Sequence, residues 1–216
     1  IPYKPKPKFI EAGGVGFINI EEDGDGVLRR LPVVAEMDGL QVPHFFLRLL
    51  CQHLGYPPSK IEVINNYHLV LRDFPTMDGT RDLKIPLDGN GHMIINYLNY
   101  DKIKALASSG EFGSYSAWDF IHYPRPLGLD GKTVIFGDHS AAAKDFSNTP
   151  LDGPLPNPLI YTIAMSNILN GEFITPTKGA TSLLTVIVLL LILIVLAAKM
   201  DVVRFGLISA GILACY

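Results

Sequence analysis

Residues 180–198 read ATSLLTVIVLLLILIVLAA, a continuous apolar run in which Thr181, Ser182 and Thr185 are the polar breaks and no residue is charged. A helix rises ~1.5 Å per residue, so about 20 residues cross a hydrocarbon core of roughly 30 Å. The run therefore predicts a transmembrane helix. A buried core helix or an interior strand is the competing reading, disfavoured because a core element of this length shows a polar side. Lys199, Asp201 and Arg204 follow in a short charged connection, 199–204, and 205–216 begin a second apolar run. Two spans so close in sequence form a helical hairpin in lipid. Two basic residues in the loop between them point it toward the cytoplasm, which places residues 1–179 outside an inner (cell) membrane crossed more than once.

Working outward, the composition agrees with that division. The chain has 216 residues, with 18 Lys+Arg against 21 Asp+Glu and a net charge of −3. A mildly acidic balance without a basic stripe creates no phosphate-binding field, so no nucleic acid is expected as a partner. The residues before the run suffice for one domain with its own core. Cys51 lies in an apolar helical pattern and Cys215 in the second apolar run. A disulfide between them is not expected, and an extracytoplasmic domain of this kind must stand on packing. The chain opens without an initiator Met or a signal peptide and closes inside a hydrophobic run, so it reads as part of something longer.

The segment before the apolar run divides by pattern. Residues 1–12 open with IPYKPKPK, whose alternating Pro and Lys forbid helix and read as a solvated linker. Val15–Ile20 predicts a strand, Asp23–Gly26 a turn, and Val27–Val34 a returning strand, together a hairpin. Glu21, Asp23, Asp25 and Gly26 copy the opening spacing of a calcium loop, but Pro32 stands where the bidentate Glu belongs, so turn chemistry is the better reading. Arg29 and Arg30 alternate in direction along a strand, and at least one is expected to pair with a carboxylate. Pro43–Gly55 has the spacing of an amphipathic helix stopped by Gly55, with His44 and His53 expected at its surface or cap. Lys60–Arg72, Arg81–Asp88 and His92–Tyr100 predict a β-rich middle. Asp73, Asp78, Asp82 and Asp88 read as solvated turn carboxylates, not an acid–base pair.

Nearer the run, Thr133–Phe136 within GLDGKTVIFG predicts a fully buried strand, and Leu159–Gly171 a helix with Ile160, Ile163, Ala164, Asn167 and Ile168 on one face. Between them lies a loop with Asp138, His139, Asp145 and Asp152. Loops at the carboxyl ends of parallel strands are where α/β proteins hold ligands, so this is the place for a small-molecule site if the chain has one; the better reading makes Asp138, Ser140 and Asp145 caps of turns and helix starts. No metal spacing, nucleophile elbow or glycine-rich phosphate loop is present, so no catalytic residue, metal or cofactor is expected.

The order GFIN…DGDGVLRRLP, then IPLDGNGHMIINY, then GKTVIFG…KDFSNTPL, then a helix and GEFITP running into close-spaced spans, resembles the second type of CHASE domain. These are extracytoplasmic sensory modules of bacterial receptors, and the resemblance covers Val15 to about Pro176 within a domain drawn over 13–176. It implies an α/β fold, a mixed sheet with flanking helices whose amino-terminal part is missing here, followed by transmembrane helices. It implies a cytoplasmic output: a class III nucleotide cyclase first, or a histidine kinase, a serine/threonine kinase or a cyclic-diguanylate enzyme. It carries over Gly16, Asn19, Asp23, Asp25, Gly26, Arg29 and Arg30 from the first motif and Gly137, Asp145, Thr149 and Pro150 from the last, fold-makers as much as ligand contacts, and it implies no ligand; the candidate ligand contacts of this chain are Asp138, His139, Asp145 and Thr149. Pro156-Asn157-Pro158 departs from the family pattern, which has a Gly and a His on the approach to the last helix.

Three readings of function follow. The first is a receptor sensor that works as a homodimer, with membrane lipid and an extracellular ligand of unknown identity as its partners. The second is a tail-anchored extracytoplasmic hydrolase built on Asp138, His139 and Asp145. The third is a module that only holds receptor dimers together. A cyclase or kinase encoded beyond Tyr216 favours the first.

Overall fold

The computed structural model describes residues 14–37, 39–76, 78–97, 116–122, 131–138, 145–151, 153–176 and 179–199. The expected linker at 1–8, the second apolar run at 205–216, the end of the strand expected over His92–Tyr100, and His139, Ser140 and Asp152 lie outside the described residues. The described chain falls into two units, 1–175 and 176–216.

In the first unit, strand β1 (Arg30–Pro32) and β2 (Val34–Met37) follow each other, and β2 turns back as β3 (Leu40–Pro43). Helix α1 (Phe45–His53) comes next, then a 3-10 turn over Pro58–Lys60 and a meander of β4 (Ile61–Asn65), β5 (His68–Thr76) and β6 (Gly79–Pro86). Strand β7 (His92–Ile94) is followed by a short helix α2 (Ala117–His122), a hairpin of β8 (Phe146–Thr149) and β9 (Gly153–Pro156), and helix α3 (Asn157–Asn170).

The class is α/β, but the expected mixed sheet is divided into small sheets. Strand β1 pairs antiparallel with β7, β2 with β3, β4 with β5 and β5 with β6, and β8 with β9. Parallel pairing is confined, among the described residues, to one bridge between Phe17 and His44. The hairpin expected over 15–34 is therefore corrected. Its turn exists, closed by Gly26 N donating to Asp23 O at 2.8 Å. Its first arm is not a strand, because Phe17 is tied to the start of α1, and its second arm reaches across 60-odd residues of chain to pair Leu31 with Met93. The hairpin in this region is β2–β3, and β3 went unpredicted.

Helix α1 buries Phe46, Leu47, Leu50 and Cys51 along one stripe, as its spacing predicts. Helix α3 differs from expectation in an informative way. Beside Ile160, Ile163, Ala164, Asn167 and Ile168 it also buries Tyr161 and Met165, so it is covered nearly all round and forms the axis of the core. Leu31, Leu69, Leu71, Ile85 and Met93 close around it and α1. Burial of a branched aliphatic side chain contributes about 2 kcal/mol, so this contiguous cluster is the main source of stability. The strand expected over Thr133–Phe136 is absent. The segment pairs with no described strand, and Val134 and Phe136 are 47% and 77% exposed; a short apolar run predicts extension but not burial.

The second unit contains helix α4 (Gly179–Lys199), 21 residues long, whose described side chains, Leu183, Leu184 and Leu190 among them, are mostly exposed. Among the described residues, no helix is long and apolar enough to cross a membrane.

Candidate functional site

The carboxylates near the start of the domain are organised by one turn. Asp25 accepts from Val27 N at 3.2 Å, and Gly26 adopts φ 75°, the left-handed conformation such a reversal requires. The turn aims Asp23 and Asp25 back at the strand that follows. Arg29 meets Asp25 through two parallel bonds of 2.9 and 2.8 Å and Asp23 at 2.9 Å. Its hydrogen bonds hold the Asp25 carboxyl down at about 2, and they raise the Arg29 guanidinium in turn. Arg30 joins Asp23, at 3.1 Å, to Asp88, at 2.8 Å. Asp88 is the buried member, its side chain 3% exposed, and it caps the 88–92 turn by accepting from Asn90 N and His92 N. Burial works to raise its pKa, but the Arg30 bond and the two backbone donors outweigh it and the carboxyl stays below its ordinary value. Both arginines thus pair with carboxylates. The cluster is a clasp in which Arg30 ties the 23–26 turn to Asp88, 58 residues further along the chain, and its carboxylates are held in ion pairs.

Asp73 and Asp82 belong to a second set of ion pairs, with Lys60 at 2.8 Å and Arg72 at 2.6 Å. Asp82 also accepts from Asp73 N, fixing the bulge where Asp73 takes φ 49°. No group of three or more His, Cys, Asp or Glu able to hold a metal occurs among the described residues.

Of the predicted ligand residues, Asp138, Asp145 and Thr149 are described. Asp145 binds the start of α3, accepting from Asn157 N at 3.0 Å and from Asn157 Nδ2 at 2.8 Å. Asn157 in turn accepts from Ser147 at 2.9 Å, so its side chain ties β8 to the first turn of α3. Thr149 is buried and donates to Gly153 O at 2.8 Å, closing the β8–β9 hairpin, and Pro150 is exposed at its tip. Asp138 is exposed, and His139 lies outside the described residues. Gly137 packs on the Pro158 ring, which a Cβ there would enter, and a Cβ on Gly16 would come within 2.7 Å of Phe45 Cα. Both glycines therefore mark close approaches of chain to helix. Asn19 is exposed.

A cleft that the sequence reading missed opens elsewhere. It has a volume of about 190 Å3 and lies between the β2–β3 hairpin, the β4–β5 turn and the 87–91 loop. Glu36, Gln41, Asn65, Asn66 and Asn90 supply its polar lining and Val63 part of its apolar wall. Amides both donate and accept, so the lining suits a small polar molecule. Its signal in the sequence was the run of amides at 65–66 and 90 next to turns, which turn propensity alone explains equally well.

His44 was expected at a surface or cap. It is the cap of α1, its Nδ1 accepting from Phe46 N at 3.4 Å, but it is fully buried. His53 is exposed, 2.7 Å from Thr133 Oγ1.

A protein-family model described as the CHASE2 domain matches residues 3–198, a wider stretch than the 15–176 on which the resemblance was read. No curated protein and no solved structure matches the chain.

Proposed function

Because the chain belongs to the CHASE2 domain family, whose members are extracytoplasmic sensory domains, we propose that it is the sensory and membrane-coupling part of a bacterial transmembrane receptor. The folded unit faces the outside of the cell membrane, α4 crosses the bilayer, and a cytoplasmic output enzyme, a class III adenylate/guanylate cyclase first and a histidine or serine/threonine kinase second, is regulated from without. The observation that carries this reading is α4. Its sequence is charge-free from Ala180 to Ala198, and a helix of 21 residues is about 30 Å long, the thickness of a hydrocarbon core.

The signal arises when a stimulus binds two states of the sensory unit unequally, since equal binding shifts nothing. Helix α3 ends at Gly171, and residues 172–178 join it to α4, so a displacement of α3 has a short covalent path to the membrane. The receptor works as a homodimer, as its proposed outputs require. A hydrolase reading has less behind it, because Asp145 is engaged by Asn157 at the start of α3.

Output activity of the full-length protein in native membranes tests the coupling. A short flexible Gly-Ser insertion after Pro176 leaves the sensory unit folded and changes basal output; unchanged basal output overturns rigid transmission. Cross-linking in the same membranes reads the dimer.

A further inference from the structure

His44 stands where three parts of the sensory unit meet. Its backbone N–H donates to Val33 O at 2.8 Å, and Phe45 N donates to Phe17 O at 2.8 Å, so the residue pins segment 14–20 to the first turn of α1. Its ring lies among Phe17, Phe46 and Tyr161, with centroids 4.8, 4.9 and 5.3 Å away. Tyr161 belongs to α3 and donates to Ile18 O at 3.3 Å. Because Nδ1 accepts from Phe46 N, the ring hydrogen is on Nε2, which is buried and, beyond the neighbouring Asn19 backbone, has no hydrogen-bond partner. A neutral imidazole fits this place, and an imidazolium does not.

We propose that His44 is a proton-operated latch, and that acidification of the medium releases segment 14–20 and α1 from α3. This rests on the sensor reading and names its stimulus. A second ring proton goes to Nδ1, where it faces the Phe46 N–H that Nδ1 now accepts, so the cap of α1 is lost. The new charge also finds no counter-ion. Segment 14–20 has no ionisable side chain. The nearest cation of α1, Arg48, lies against Gly14. Helix α3 offers Tyr161 as its sole titratable residue, and burial pushes that phenol up to about 12, so it stays neutral. Asp145, just before α3, is engaged by Asn157. An unpaired buried charge costs several kcal/mol, more than local packing withstands.

Burial, only partly offset by the Asn19 backbone, pushes the His44 pKa down from 6.5 to about 4. The sign follows. The closed state binds fewer protons than the open one between these values, so its stability is full above about 6.5 and falls as the pH drops toward 4. In the clasp, Asp25 and Asp88 are held below the ordinary carboxylate value, beneath this window.

Cys51, two turns along α1, is buried and its thiol is raised to about 11 by burial, so its reactivity reports the opening of α1. The experiment labels Cys51 in the full chain, with Cys215 replaced by Ser, using a pyridyl disulfide that reacts with thiols in acid, and normalises to free cysteine at each pH. The expected result is a rise on the order of thirtyfold between pH 7 and pH 5, with a slope of one proton and unchanged far-UV circular dichroism. His44→Asn, which keeps a good cap and cannot titrate, abolishes the rise; His44→Gln replaces it should the first variant fail to fold. A flat wild-type profile, an equal rise in the variant, or loss of circular dichroism together with labelling overturns the latch. None of these readouts depends on an output enzyme, so failure here is separate from failure of the receptor reading.

Discussion

Asn167 is almost fully buried on α3, and both ends of its amide are used. Its Oδ1 accepts from Asn96 N at 2.9 Å and its Nδ2 donates to Asn96 O at 3.1 Å, so a side chain replaces the neighbouring strand that β7 lacks beyond Ile94. Asn167→Ala leaves the half-buried Asn96 N–H and C=O without these partners, and the expected loss is about 2 kcal/mol, read as a lower urea midpoint at unchanged slope. Asp88 makes the second residue-scale prediction. Its depressed pKa means the folded state holds fewer protons than the unfolded one, so its contribution is full above 3.8 and is lost as pH falls through its lower folded value. Asp88→Asn therefore costs about 3 kcal/mol at neutral pH, and urea titrations from pH 5 to pH 2 show a shallower decline than in wild type. The pairing of Arg29 with a carboxylate was legible in the sequence, since Asp25 is four residues away. The second partner of Arg30, Asp88, was not, because nothing local marks a residue 58 positions on.

Among the elements, α1 and α3 were readable because helical periodicity is local: the stripe from Phe46 to Cys51 and the stop at Gly171, φ 68°, follow from spacing and backbone freedom. Sheet pairing is not local. The arms on either side of Asp23–Gly26 look like a hairpin, yet the close approach of Gly16 to Phe45 draws the first arm onto α1 and leaves β1 to pair with β7. Gly16→Ala tests this element. Its Cβ meets helix backbone, which cannot give way as a flexible side chain does, so the expected cost is about 2 kcal/mol in urea denaturation. The run Thr133–Phe136 misled for a different reason. Apolar residues predict extension, but burial depends on what packs over them, and Val134 and Phe136 remain exposed. Beyond that run, Asp145 is bonded to Asn157 at the start of α3 and Thr149 closes the β8–β9 hairpin.

For the whole molecule, the division into a folded unit ending near residue 175 and a separate apolar helix was the most legible feature, because a charge-free run needs no tertiary partner to be recognised. The family followed from the order of short motifs, most of which hold turns and close approaches together. The ligand did not, since a cleft such as that beside Val63 is assembled from three distant turns. The central claim is that 180–198 crosses the cell membrane with the folded unit outside. It is tested by single cysteines in the full-length protein, Glu172→Cys and Asp201→Cys, each in a Cys51→Ala, Cys215→Ser background and probed with a membrane-impermeant maleimide. Labelling of the first in intact cells, with the second labelled only after lysis, is the predicted result; equal labelling of both in intact cells, or of neither, contradicts it.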